Sequence, residues 1–395
     1  MRRQSLFELA ILALGVVLGL IWLLPSYNSP VNGVDASSIE GLRALRIVAP
    51  FIVALIVSAV FGKVRNWSIL DLILITLYVI WPQIVWIIGG ADYDHQRMIV
   101  LPLVISGLTI LMLSFWTEWA FRSLLIGVGF SAIALISFQI WFFGFESSTF
   151  YARTRVHLGI EHPISSGCAV AAGLVALILC IEKLWSRYLR IAIILIICIA
   201  SGVLLVKVDS KNTTLATAII ICMSVALGLL KIRKAWPLIF SIVGVFIVLS
   251  GLVLLNFEAL INLVGSENIQ SAQIRLVDSI RVSHFMTLGG GSIWGHQDLQ
   301  SLRFSVTDSI YTSYWFHFGL VGLTLLITFF VILGFKISHS FPNSFFQNIS
   351  FSSILGVGVF FLIDAQGITS ANLLVFLLLA MSYRWALQPQ SIRKA

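Results

Sequence analysis

Long apolar segments recur along the whole chain, and they constrain its fold more than any other feature. Most are close to the roughly 20 residues that an α-helix needs to cross a bilayer, and longer than the roughly ten-residue segments of a membrane β-barrel. Only 11% of the 395 residues are charged, against about 25% in soluble domains. The sequence therefore predicts an all-α, polytopic membrane protein, with residues 1–395 in a single integral membrane domain.

Twelve spans are predicted, with ends uncertain by a few residues. They lie at about 6–24, 44–61, 69–89, 98–115, 123–143, 164–181, 189–206, 213–230, 237–256, 310–333, 350–363 and 371–387. The first is long enough to span and lacks a small-residue cleavage site, so we interpret it as a retained helix. The four cysteines fall inside spans without metal-ligand spacing, and we expect them to be packing residues.

The distribution of charge predicts the orientation. The spans place 15 of the 25 Lys and Arg residues on one side, with only 4 of the 17 acidic residues. By the positive-inside rule this side is the cytoplasm, and it contains both termini. The opposite side holds ten basic residues, eight of them Arg, whose planar guanidinium suits phosphate and carboxylate.

Two outer loops, at about 144–163 and 257–309, hold most of the polar groups. Within the longer loop, residues 266–288 have apolar positions at three-to-four spacing, which predicts an amphipathic helix. Three glycines at 289–291 end it. The cytoplasmic connections are short and basic, so we expect the function to face outward.

The shorter loop carries a basic cluster just before the sixth span. Arg153 and Arg155 precede His157 and Glu161. Two guanidiniums at the membrane entry could hold a diphosphate, helped by backbone donors at the start of the next helix. The alternative is that they snorkel to lipid headgroups.

Three further cations are candidates for the same anion. Lys211 begins the eighth span, where the helix dipole disfavours a cation unless an anion lies nearby; the alternative is an ordinary polar turn. Arg275 and Arg281 lie on the predicted outer helix, where Arg275 could instead pair with Asp278 one turn away.

A carboxylate followed by hydroxyl and aromatic groups opens the tenth span. Asp308, Tyr311 and His317 lie there at a predicted membrane surface. The seven histidines form no HxxxH or similar array, and no carboxylate cluster is typical of a divalent-metal site. We predict no metal and no cofactor.

The order of these motifs resembles a known family. Arg155-x-x-x-Gly159 followed by Pro163, Ser210-Lys211, Arg275 followed by Gly289-x-Gly291, and Asp308-Ser-x-Tyr311 leading to Gly319-Leu-x-Gly322 are together similar to the O-antigen polymerase and O-antigen ligase superfamily. The resemblance covers roughly the fifth to the tenth span.

The resemblance implies a GT-C-like bundle with about twelve helices, in the bacterial inner membrane, with its active site on the periplasmic face. It implies transfer of glycan from an undecaprenyl-diphosphate carrier, with Arg155, Lys211 and Arg275 holding the diphosphate. Expected partners are the carrier-linked donor and acceptor, the lipid bilayer, a chain-length regulator and a flippase, and no nucleic acid. Ligases commonly carry a His-Asn pair where this chain has Asp308-Ser309, which favours a polymerase.

The diphosphate is a good leaving group, so the protein has to neutralise its growing charge, position the acceptor hydroxyl and accept the hydroxyl's proton. Asp308 is the predicted base, with Glu161, His157 and His317 as alternatives. An O-antigen ligase, a polysaccharide-related secondary transporter and a membrane O-acetyltransferase remain as alternative functions. A transporter would need charged or broken helices near the bilayer midplane.

Overall fold

The structure is a computed structural model that describes residues 2–23, 36–62, 65–89, 99–150, 153–157, 163–181, 187–208, 210–230, 293, 295, 310–338, 345–363 and 372–387. The helices within these ranges are α1 (Arg2–Leu23), α2 (Ala36–Phe61), α3 (Ile69–Ile75), a π-helix (Thr76–Ile80), α4 (Trp81–Gly89), α5 (Leu101–Leu113), α6 (Glu118–Phe143), α7 (Pro163–Ile181), α8 (Arg187–Val208), α9 (Lys211–Leu230), α10 (Ile310–Ser338), α11 (Phe345–Ile363) and α12 (Leu373–Ala386).

Eleven of the predicted spans coincide with these helices; the ninth, at 237–256, and the helix predicted at 266–288 lie outside the described residues. Five stretches of the described part are long and apolar enough to cross a membrane: Ser5–Leu23, Ala44–Phe61, Ile69–Ile88, Glu118–Phe142 and Ser313–Ile337. The prediction of a helical membrane protein is thus supported, whereas a total of twelve crossings stays a prediction.

Small residues let the helices pack closely. Gly15 and Gly19 form a small-xxx-small pair on α1, and a Cβ at Gly15 would lie 2.4 Å from the carbonyl oxygen of Leu124 on α6. A Cβ at Gly127 would lie 2.2 Å from the carbonyl oxygen of Leu12 in return. In lipid, where hydrophobicity does not drive helices together, such backbone contact is a main source of association.

The helix α12 is the centre of the bundle, because every residue from Leu373 to Ala386 is buried. Its first nine residues, Leu373 to Met381, are all apolar, which is expected in such a position. It packs on α11, which in turn packs on α9. Between those two, the hydroxyls of Ser224 and Ser352 lie 3.1 Å apart and form a buried hydrogen bond.

Two predicted spans are irregular, contrary to the continuous helices expected from hydropathy. The third span contains the π-helix Thr76–Ile80, and α10 is broken at Gly319, with φ 67° and ψ −172°. These two irregular helices pack against each other. Both interruptions therefore occur at one place in the bundle.

The chain also forms one antiparallel hairpin in the described residues, where an irregular outer loop was predicted. Its strands are β1 (Glu146–Phe150) and β2 (Arg153–His157). Because consecutive helices alternate in direction, the hairpin, Ser210 and Asn372 share one end of the bundle, here named the hairpin end. Arg65, Ser114, Glu118 and Arg384 share the other, named the Arg65 end.

Candidate functional site

The hairpin carries the first predicted cation cluster. Arg153, Arg155 and His157 occupy alternate positions of β2, opposite Phe150, Ser148 and Glu146 of β1. Since successive residues of a strand point to opposite faces, these three share one face of the hairpin. The two arginines are thereby two residues apart on one surface, with a single acidic residue, Glu146, at a paired position.

The hairpin lies against the bundle at the ends of two helices. Strand β2 contacts both α7, which begins at Pro163, and α8, which ends at Val208. In the last turn of α8, the exposed side chain of Lys207 places its Nζ 4.7 Å from the ring centroid of Phe145, the residue before β1. A third cation is thus fixed beside the hairpin by a cation–π contact.

The Ser210-Lys211 turn is at the same end of the bundle. Lys211 is the first residue of α9. A Cβ at Gly167 of α7 would lie 2.9 Å from both Cβ and Oγ of Ser210 and 3.0 Å from Cβ of Thr213. The start of α9 is therefore seated on α7 about one turn after Pro163, and β2 contacts that same helix.

A buried polar cluster joins three helices below this turn. Ser210 Oγ donates to Thr213 Oγ1 at 2.9 Å, Thr213 Oγ1 lies 3.8 Å from Cys168 Sγ, and Asn372 Nδ2 donates to Cys168 Sγ at 3.3 Å. The Asn372 side chain also caps α12 by accepting the Val375 N–H. The cluster joins only neutral groups, and it includes Ser210 of the Ser210-Lys211 turn.

The predicted run into the tenth span behaves differently from a surface patch. Tyr311 is half-buried against the core. His317 is only 3% exposed, with its ring centroid 5.0 Å from that of Phe316 and 6.1 Å from that of Phe318. His317 is therefore packed inside the protein, and its position at a membrane surface stays a prediction.

The break in α10 lies two residues after His317, and the backbone of Ile293 and Gly295 lies against it. A Cβ at Gly319 would lie 2.0 Å from the carbonyl oxygen of Ile293, and one at Gly295, where φ is 87°, would lie 2.4 Å from the carbonyl oxygen of His317. Trp81 Nε1 donates to the Phe318 carbonyl at 2.8 Å. The indole thereby satisfies a carbonyl next to the break.

The remaining predicted site residues are Asp308, Glu161, Arg275 and Arg281, which lie outside the described residues. Their roles stay predictions. In the described part, the structure brings together Arg153, Arg155, His157 and Lys211 at the hairpin end. Tyr311 and His317 lie on α10 instead.

The cysteines differ in their surroundings. Cys168 is buried, as expected for a packing residue, and belongs to the polar cluster, whereas Cys180 and Cys222 are exposed on their helices. The prediction that all four are packing residues is wrong for those two.

A buried ion pair at the Arg65 end was not predicted. Arg65 donates from Nη2 to Asp71 Oδ1 at 2.6 Å and from Nη1 to Oδ2 at 2.7 Å. The Tyr383 hydroxyl and the Ser68 N–H also donate to the Asp71 carboxylate. Burial lowers the pKa of Arg65, but hydrogen bonding and the charge of Asp71 raise it, and the net shift is upward.

The pair is part of a wider set of contacts. Arg65 Nη2 also donates to Ser114 Oγ at 2.7 Å, and Arg384 Nε donates to the Trp116 carbonyl at 2.6 Å. A carboxylate within a predicted span, here Asp71 at 0% exposure, is the sequence signal that could have revealed this network.

No family model, no curated protein and no solved structure matches this chain.

Proposed function

We propose that this protein is a metal-independent GT-C-type glycosyltransferase that polymerises undecaprenyl-diphosphate-linked repeat units into O-antigen or a related surface polysaccharide. Its proposed location is the bacterial inner membrane, with both termini cytoplasmic and the active site periplasmic. The observation that carries the proposal is that two basic segments distant in sequence, strand β2 and the Ser210-Lys211 turn, both contact α7.

The chemistry needs cations more than it needs covalent catalysis. The acceptor hydroxyl oxygen attacks the anomeric carbon of the donor, and the bond from that carbon to the diphosphate oxygen breaks. The diphosphate leaves with the electron pair, and the hydroxyl proton passes to a base. Preorganised cations stabilise the developing negative charge. In this proposal Arg155, Lys211 and Arg275 supply them, supported by Arg153 and Arg281.

The positive charge of the hairpin end supports this assignment. Arg153, Arg155, Lys207 and Lys211 all lie at this end, and the buried hydrogen bond of Ser210 with Thr213 joins neutral groups. Clusters of cations on the outer side oppose the general charge bias of membrane proteins. An anionic substrate would explain why such a cluster is present.

One observation favours a different function. A helix broken inside the membrane, such as α10 at Gly319, is typical of secondary transporters, whose substrates bind at such interruptions. In this chain the Phe318 carbonyl next to the break is bonded to the Trp81 indole, and the backbone of Ile293 and Gly295 lies against Gly319. Since these contacts fill the place that a substrate would take, we retain the transporter only as the second candidate.

A deletion strain separates the candidates by what accumulates. Loss of a polymerase is expected to leave lipid A-core capped with a single repeat unit, whereas loss of a ligase leaves it uncapped and the carrier-linked polymer accumulates. Loss of a transporter would leave unpolymerised carrier-linked units on the cytoplasmic side. A normal polysaccharide ladder in the deletion strain would contradict the proposal.

Asp308 provides the test of the base. If its carboxylate accepts the proton, Asp308→Asn abolishes chain extension and Asp308→Glu retains part of it. If Asp308 only caps the helix that begins at Ile310, Asn caps equally well and the substitution is nearly silent. A wild-type ladder with normal protein levels in Asp308→Asn would transfer the role to Glu161 or His157.

A further inference from the structure

An exposed aromatic stripe runs along the last turns of α6 and ends at the hairpin. Phe138, Trp141 and Phe142 lie at i, i+3 and i+4, which places them on one face of the helix. Their exposed fractions are 46%, 84% and 65%, and Phe145, which follows the helix, is 48% exposed. The rings of Phe138 and Phe142 are 4.7 Å apart. We name these four residues the aromatic stripe.

The stripe is continuous with the cationic hairpin. The helix α6 ends at Phe143, Gly144 takes a left-handed conformation with φ 70°, and β1 begins at Glu146. Phe145 carries the Lys207 ammonium over its ring at 4.7 Å. An apolar surface on a membrane helix therefore leads directly to a group of cations at the end of that helix.

This arrangement is complementary in shape and charge to one class of ligand. We infer that the aromatic stripe is the binding surface for the isoprenoid chain of a polyprenyl-diphosphate lipid, held with its diphosphate at Lys207 and the hairpin. The inference rests on the proposed function, which requires such a lipid. It adds the chain-binding surface and Lys207 as a further headgroup contact.

Charge complementarity distinguishes this ligand from ordinary lipid. Aromatic residues at a membrane interface commonly anchor a helix without binding any particular lipid. Here the stripe ends at several cations, and a diphosphate bears more negative charge than the single phosphate of a phospholipid. Trp67, which is 63% exposed at the Arg65 end, provides a matched exposed aromatic residue for comparison.

The experiment uses the full chain in phosphatidylcholine nanodiscs, with radiolabelled undecaprenyl diphosphate as the probe. We expect Trp141→Ala/Phe142→Ala to weaken binding by about tenfold or more, because two large side chains lose apolar contact with the isoprenoid. Binding of inorganic diphosphate should be unchanged in that variant. Trp67→Ala should bind both probes as the parent does.

The outcomes separate the inference from the function. If the parent binds undecaprenyl diphosphate and the double variant binds it equally tightly, the stripe is not the chain-binding surface, and the proposed function stands. If the parent does not bind this lipid, both fail. Equal competition by phosphatidylglycerol would reduce the stripe to an interfacial anchor. Trp141→Ala alone, at a side chain that is 84% exposed, gives a second variant in which folding is not at risk.

Discussion

The two ends of the bundle differ in where their charged groups lie and how they are paired. At the Arg65 end, Arg65 and Asp71 face each other inside the protein, and the carboxylate also accepts hydrogen bonds from Tyr383 and Ser68. At the hairpin end, the buried hydrogen bonds join neutral groups, such as Ser210 and Thr213. Its cations lie on the hairpin and at helix ends.

This difference indicates which end can bind an anion. A buried cation that is already matched by a bidentate carboxylate has little attraction left for a ligand, and its main effect is on structure. Cations that exceed their neighbouring carboxylates keep that attraction. The Arg65 end is thus expected to determine stability, and the hairpin end to determine activity.

The largest effect is expected for Asp71→Asn, which keeps the shape of the side chain but removes its charge. The Arg65 guanidinium would then be largely buried without a counter-charge, which costs about 3–5 kcal/mol. We expect a much lower melting temperature and less protein in the membrane. Measurement of thermal unfolding in detergent tests this.

A double variant separates the charge from the packing at this end. Replacement of both partners by apolar residues, Arg65→Met with Asp71→Leu, removes the unpaired charge and should recover a large part of the lost stability. If the double variant is no more stable than Asp71→Asn, hydrogen bonding by Tyr383 and Ser114, rather than charge pairing, governs the Arg65 end.

The hairpin end should show the reverse pattern with Arg155→Ala. Loss of one charge-assisted contact to a developing oxyanion costs about 2.7–4 kcal/mol of transition-state stabilisation, which lowers the rate of chain extension about 10²–10³-fold. Arg155→Lys should recover little if the contact is bidentate. The polysaccharide ladder reports the rate of chain extension. The melting temperature, measured in parallel, should not change.

Thr154→Ala provides the matched control for Arg155. Thr154 is the adjacent residue in β2 and pairs with Thr149, so it lies on the other face of the same strand. Full activity in Arg155→Ala, or an equal loss in Thr154→Ala, would mean that the hairpin contributes structure rather than charge.

Hydropathy predicted the helical segments well, because burial in lipid imposes an apolar run of fixed length whatever the tertiary contacts. It could not predict the interruption at Gly319, which depends on Ile293 and Gly295 approaching from far along the chain. The pairing of Arg65 with Tyr383 through Asp71 likewise depends on tertiary contact. The hairpin did leave a local signal, since Arg153, Arg155 and His157 alternate with Thr154 and Val156.

An intermediate effect on stability is expected at Gly319, where Ile293 and Gly295 contact α10. The conformation of Gly319, with φ 67° and ψ −172°, is nearly restricted to glycine and costs other residues about 1–3 kcal/mol. Gly319→Ala would also press its Cβ against the Ile293 carbonyl. We expect a clear loss of stability in thermal unfolding.

Gly334 is the control for Gly319 because it lies in the same helix with nothing within 4 Å of an added Cβ. Gly334→Ala should stabilise the helix by about 0.5–1 kcal/mol. If both substitutions stabilise the protein, the contacts of Ile293 and Gly295 do not fix the break at Gly319.

The smallest effect on stability is expected for Ser210→Ala, which removes the hydrogen bond to Thr213 Oγ1. A neutral side-chain hydrogen bond contributes about 0.5–1.5 kcal/mol net. Ser224→Ala removes the comparable bond to Ser352 Oγ and should cost about the same.

The two variants should nevertheless differ in activity, because Ser210 precedes Lys211 and its hydrogen-bond partner Thr213 lies close to Gly167, whereas Ser224 lies in the interior of α9. We expect slower chain extension only in Ser210→Ala, by a factor measurable in a ladder but below that of Arg155→Ala. Equal activity in the two serine variants would show that the hydroxyl cluster supports the fold alone.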